Sequence, residues 1–216
     1  MRTKRRRGIA YIEFAFSSLV LIPLLLGVIS IGLNMHLQLQ TVQLARDAGH
    51  MYAKGIDFNL TGNQQVLASI GGSLGLSTTL GQGNAVVILS LVRYVDSSAC
   101  QAAGLWNSSS NTPNGCTNYQ KWVFSQRIVI GNNTLRTSNL GTPAAAIIQS
   151  NGTITITNQC TNTTDVATVA GINPWNSVTS TGLPSGQSVY VAEASAKGFH
   201  MPPFSSGTNT YASEYF

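Results

Sequence analysis

Glu13 is the one charge in an apolar run, IAYIEFAFSSLVLIPLLLGVISIGL (residues 9–33), that is otherwise broken only by Ser17, Ser18 and Ser30. A carboxylate carried into hydrocarbon costs roughly 2.5–3.5 kcal/mol on insertion scales. Its place, five residues beyond Gly8, leaves two chemistries open. Glu13 either reaches water at a membrane interface, or it meets a positive charge brought by another molecule. The other residues that could do chemistry carry less. GGSLG (71–75) has the G-x-S-x-G spacing of a serine nucleophile elbow, with Asp96 or Asp165 and then His200 following in chain order. Such an elbow needs a strand before the serine and a helix after it. The residues before Ser73 read as helix, so a flexible glycine-rich loop is the expectation and no catalytic residue is assigned. His36 and His50 share a helix about 21 Å apart at 1.5 Å per residue, too far to hold one metal. Cys100, Cys116 and Cys160 lack the C-x₂₋₄-C spacing of a zinc site. Neither a metal nor a cofactor is expected.

The element that must position Glu13 is a helix. Residues 9–33 would rise about 37 Å, enough to cross a hydrocarbon core of about 30 Å. Arg2, Lys4, Arg5, Arg6 and Arg7 lie on one side of it, and the next charges on the other side, Arg46 and Asp47, roughly cancel. The positive-inside rule then puts the N-terminus in the cytoplasm and the C-terminal part outside. Pro23, in the middle, is expected to kink this helix rather than end it. The run is longer than the 7–15-residue core of a secretory signal, and LNMHLQLQ after it offers no small-residue cleavage site.

Beyond the span, Met35, Leu39, Val42, Ala45, Gly49 and Tyr52 recur at helical spacing. Lys54 and Gly55 make a C-terminus, so one helix over about 9–54 is predicted. TGNQQVLASIGGSLG reads as a short helix with Val66, Leu67 and Ile70 on one face, stopped by Gly71 and Gly72. Four stretches read as strands: AVVILSLVRYV (85–95), KWVFSQRIVI with Trp122, Phe124, Ile128 and Ile130 on one face, TITIT (153–157), and QSVYVAEASAK (187–197). Stretches 97–119 and 131–150 read as loops. The fold class is α+β, with an antiparallel sheet of three to five strands against the helix.

Charge excludes one class of partner. Charged residues make up 9% of the 216, well below the usual ~25%. Five of the twelve basic residues precede Gly8, which leaves seven basic against seven acidic residues. No basic stripe interleaved with aromatics remains for nucleic acid. The odd cysteine count leaves one thiol over. Cys100 and Cys116 bracket a Ser-, Asn- and Gly-rich segment, and a disulfide there would stabilise by ~3 kcal/mol in the chain-entropy model, with Cys160 unpaired. Asn59, Asn107, Asn132, Asn151 and Asn162 each begin an N-x-[ST] sequon, a frequency expected by chance in so polar a chain.

The segment RGIAYIEFAFSSLVLIPLLLGVISIG, followed by TVQLARDAGHMYAKG, resembles the TadE-like family, minor pseudopilins of the tight-adherence (type IVb) pilus system. The likeness lies in a basic leader ending in Gly8, Glu13 and Phe14 at fixed spacing, a proline before a leucine run, and an Ala/Arg-containing helix. It covers roughly residues 5–55. The resemblance implies cleavage between Gly8 and Ile9 by a prepilin peptidase on the cytoplasmic face. Glu13 would then be the fifth residue of the mature chain and Phe14 the sixth. It further implies a pilin-like head on a long helix, and assembly with other pilin or pseudopilin subunits, Glu13 facing the freed Ile9 ammonium of a neighbour. On this reading residues 1–8 are a basic leader, 9–33 a transmembrane helix, 34–55 its extension on the head, and 56–216 an extracytoplasmic domain. The expected role is structural and not enzymatic: a single-pass subunit of the bacterial cytoplasmic membrane, involved in pilus assembly or adhesion and incorporated in an extracellular pilus. The alternative is a permanently anchored protein with a surface ligand-binding head.

Overall fold

The computed structural model describes residues 4–168 and 188–216; residues 4–10 enter as helix backbone. Arg2 of the leader and Gln187 of the fourth expected strand lie outside the described residues. Helix α1 runs from Lys4 to Ala53, so the helix begins before Gly8, within the segment expected to be a leader. It continues through Pro23, whose missing N–H leaves the Leu19 carbonyl without its intrahelical donor. The stop is a Schellman turn. Gly55 takes the left-handed conformation (φ 82°), its N–H donates to Tyr52 O at 2.9 Å, and the Ile56 N–H donates to Met51 O at 3.1 Å.

A four-stranded antiparallel sheet in the order β4-β1-β5-β8 lies against the second half of α1. Its strands are β1 (Ala85–Tyr94), β4 (Trp122–Gly131), β5 (Ser188–Ala196) and β8 (Thr210–Tyr215). The remaining elements are α2 (Thr61–Ile70), α3 (Ser97–Ala102), α4 (Ile156–Thr161), a two-residue pair β2 (Trp106–Asn107) with β3 (Thr112–Pro113), and another, β6 (His200–Met201) with β7 (Ser205–Ser206). Small residues on both partners let helix and sheet approach. Ala45 and Ala48 are fully buried against Ala192, Ala194 and Ala196, with Leu44, Leu67, Leu89, Ile130 and Phe58 filling the space between. A fully buried side chain of the larger kind contributes about 1.5–3 kcal/mol.

Several expectations need correction. Trp122 and Phe124 do not share a face with Ile128 and Ile130. Val92 pairs with Phe124 while Leu91 pairs with Gln126, so Ser125 is an extra residue on β4. This bulge reverses the alternation. Ile128 and Ile130 face α1, whereas Trp122 and Phe124 join Val92, Leu140, Ile154 and Val191 in a second cluster on the far face. Residues 153–157 are not a strand. Thr153 and Ile154 make single bridges to Gln126 and Ile148, and then α4 begins, capped by the Thr155 hydroxyl accepting from Asn158 N. The cap competes with the β-alternation of TITIT and wins because Ile154 is already buried. On α1, Met35 and Leu39 face outward; the packing row is Leu37, Thr41, Leu44, Ala45, Ala48 and Tyr52, a second set at the same spacing. In α2 only Leu67 is buried, with Val66 and Ile70 exposed. The segment 97–119 read as loop holds α3, β2 and β3, and a 3₁₀ turn occupies Ala145–Ile147.

Candidate functional site: the exposed N-terminal helix

Glu13 and Phe14 are both exposed on α1, within a stretch whose large apolar residues are left uncovered by the described residues. Tyr11, Phe14, Phe16, Leu19, Val20, Leu21, Leu24 and Leu25 are each more than half exposed. By length and composition this is a helix able to cross a membrane. Gly8 and Ile9 lie in the same helix, one turn before Glu13. The backbone therefore carries Gly8, Ile9, Glu13 and Phe14 on one continuous element. A helix places residues four apart on one side, so Glu13 sits above Ile9 and faces outward.

From Gly27 onward the head covers one face of α1, while Val28, Ile31, Met35 and Leu39 stay exposed on the other. A Cβ at Gly27 would lie 3.7 Å from the Phe204 ring, and Ser30 is buried. Asn34 donates from Nδ2 to Ser205 Oγ at 3.0 Å and accepts from Phe199 N at 3.1 Å. The β6–β7 hairpin thus grips the helix well before residue 34. Farther along, Thr41 and Thr210 share a hydrogen bond of 2.7 Å, and Arg46 pairs with Glu214 at 3.6 Å. Gly49 makes room for the ring of Phe216, since a Cβ there would come within 2.1 Å of it.

Cys100 and Cys116 form a disulfide, Cα–Cα 5.9 Å, that closes the segment carrying α3, β2 and β3. Cys160 is free and buried, and burial pushes its thiol up. The three sulfurs lie within 4.8 Å of one another. Spacing in sequence concealed this meeting. It arises because buried Asn118 binds α4, accepting nothing from it but donating from N to Cys160 O at 3.0 Å and from Nδ2 to Gln159 O and Asn162 O. With two of the sulfurs bonded to each other, Cys160 alone keeps a thiol to offer a metal.

Ser73 sits in a 3₁₀ turn, Gly72–Leu74, directly after α2, so the strand–turn–helix of a nucleophile elbow is not built there. Ser73 and His200 line one cavity, but neither Asp96 nor Asp165 does. His36 bonds Gln40 one turn on, and His50 stacks its ring against Phe216 at 4.7 Å. Four of the N-x-[ST] sequons are Asx turns: Asn107, Asn132, Asn151 and Asn162 each accept, on Oδ1, the backbone N–H two residues on.

Two buried polar features were not visible in the sequence. On the far face of the sheet, Glu193 accepts from Ser138 Oγ, Asn139 N and Tyr211 OH, and lies 3.9 Å from Arg127. Burial lowers the Arg127 guanidinium to about 10 and outweighs the opposite pull of Glu193. Asp165 is fully buried, and among the described residues neither carboxylate oxygen has a hydrogen-bond partner. Desolvation raises it to about 8.

No curated protein and no solved structure matches this chain. The model of the family described as TadE-like protein matches residues 8–50, so from Gly8 to the last turn of α1 the chain is similar to that family.

Proposed function

We propose that this chain is a pseudopilin-like structural subunit of a tight-adherence (type IVb) pilus system, involved in pilus assembly or adhesion. A prepilin peptidase cuts it between Gly8 and Ile9, and the mature helix joins a bundle of pilin or pseudopilin helices in the cytoplasmic membrane. The observation that carries the reading is Glu13, an exposed carboxylate on an otherwise apolar, uncovered helix that matches the TadE-like family. Cleavage would free the α-ammonium of Ile9. In a bundle, Glu13 of one subunit would face that ammonium on the next. An ion pair in such surroundings adds little stability, but leaving one partner unpaired is costly, so the pair specifies register. A permanently anchored protein needs neither Gly8 nor Glu13. The role is structural, with no enzymatic chemistry assigned to the head.

The test is the mass of the mature protein isolated from membranes of a strain with an active prepilin peptidase. Loss of residues 1–8 is expected, together with a fall in isoelectric point as five basic side chains leave. Recovery of the chain with Met1 or Arg2 still attached would sink the proposal.

A further inference from the structure

Two arginines, most of whose donors find no acceptor among the described residues, line one cavity on the far face of the sheet. The cavity, of about 280 Å³, is bounded by Arg127, Arg136, Ile88, Val129, Pro143 and Ile148. That is close to the low end of small-molecule sites. A guanidinium carries five N–H donors in a planar fork. Arg127, 5% exposed, spends one bond on Gly141 O. Its Nη1 is 3.9 Å from Glu193, beyond hydrogen-bond reach, and its buried Nε has no partner. Arg136 spends one bond on Asn139 Oδ1, and its Nε too is buried without a partner. Each guanidinium is backed by an aromatic face, Phe124 at 4.5 Å and Tyr211 at 4.3 Å. Stacking leaves the edge of the fork, where the donors are, as the side available to a ligand.

Glu193 does not neutralise the pair. Its oxygens already take bonds from Ser138, Asn139 and Tyr211, so one carboxylate stands against two guanidinium ions. In a chain with 9% charged residues, two cations on one cavity are a concentrated positive field. Ile88, Val129, Pro143, Ala145 and Ile148 make one part of the wall apolar, and Asn133, Thr137, Ser138 and Thr142 complete it with polar groups. An oxyanion with an apolar body satisfies both halves, and a planar carboxylate matches the fork geometry bidentately.

We propose that this cavity is a binding site for a small organic carboxylate, held by Arg127 and Arg136 with its apolar part against Ile88, Val129, Pro143 and Ile148. The site is independent of how the N-terminal helix is processed or assembled. Calorimetric titration of the full chain in detergent micelles with benzoate tests it, with benzamide as the uncharged match and inorganic phosphate as an anion lacking an apolar body. Benzoate is expected to bind one per chain, and the other two at least about tenfold more weakly, the effect of losing a charge-assisted hydrogen bond or the apolar contact. Arg136→Gln is expected to weaken benzoate by about tenfold on the same ground. Ala145→Glu, at an exposed position on the rim, adds a competing carboxylate without touching the core and is expected to weaken benzoate as well. No benzoate binding, equal binding of benzamide or phosphate, or undiminished affinity in Ala145→Glu overturns the proposal, whether or not Arg136→Gln keeps its fold.

Discussion

Asp165 is a buried carboxylate with no donor aimed at either oxygen among the described residues. Its folded pKa, about 8, lies above the ordinary value of 3.8. The sign follows: the protonated form is the one the fold accepts, so its contribution is intact below pH 4 and is lost as the pH climbs through about 8. Across that window stability falls by up to about 1.4 kcal/mol per pH unit. Thermal melts of wild type and Asp165→Asn from pH 4 to pH 9 are expected to diverge in slope, the wild type falling and the variant flatter. Parallel profiles would show that Asp165 finds a donor. Glu13 is the opposite case, an acidic group whose surroundings are supplied from outside the chain. Glu13→Ala and Glu13→Gln are expected to leave membrane level and head folding unchanged, because each lowers the transfer cost and the sheet lies far along the helix. Both are expected to reduce co-purification with pilin partners, since the Ile9 ammonium of a neighbour loses its countercharge. The neutral glutamine keeps the shape and separates charge from packing. Full incorporation of both variants would remove the main support for the assembly reading.

At the level of elements, α1 presents two apolar rows at the same spacing, and the packing decides which is which. Ala48 is fully buried against the sheet, whereas Leu39 is 63% exposed. Ala48→Leu overfills the helix–sheet seam and is expected to cost about 1–3 kcal/mol in denaturant unfolding. Leu39→Ala is expected to change the same measurement by less than about 0.5 kcal/mol. Equal effects would mean that the seam lies elsewhere. Periodicity could not separate the rows because Met35–Leu39–Val42 and Leu37–Thr41–Leu44 both satisfy a 3–4 repeat. What the sequence did carry was strong and local: the long apolar helix and its glycine stop, β1 and β5 with their β-branched runs, and the bracketing cysteines. What it did not carry depended on contacts between distant segments. The bulge at Ser125 reverses a face that alternation alone assigns otherwise. β8, TYASEY, has too few apolar residues to announce a strand and forms because β5 offers it a full edge. The two-arginine cavity exists only once the 133–148 segment folds over the sheet. Gly131 helps fix that segment's start: at φ 92° a Cβ would come within 2.4 Å of Ala85 O, so a side chain there is strained twice over.

At the scale of the whole molecule, a head with balanced charge hangs on one helix whose first half it leaves bare. The hairpin at His200–Ser206 meets α1 near Gly27 and binds it at Asn34. From Ile9 to Leu26 the helix rises about 27 Å, a little less than a hydrocarbon core of about 30 Å. If the helix spans a bilayer, the hairpin would act as a depth stop. With the helix spanning, the exposed Pro202 and Pro203 come to rest at the headgroups, and the shortfall must be met by local thinning of the lipid or by drawing the start of the helix inward. Acyl-chain length then becomes a force on the hairpin. In bilayers of increasing chain length, amide exchange across His200–Ser206 is expected to quicken once the core outgrows the bare helix, while β1 and β5 keep their protection. Exchange that ignores chain length would mean that the seat of the head is set by other contacts. A lipid environment chosen for its thickness would thus select how tightly the head is held to its stalk.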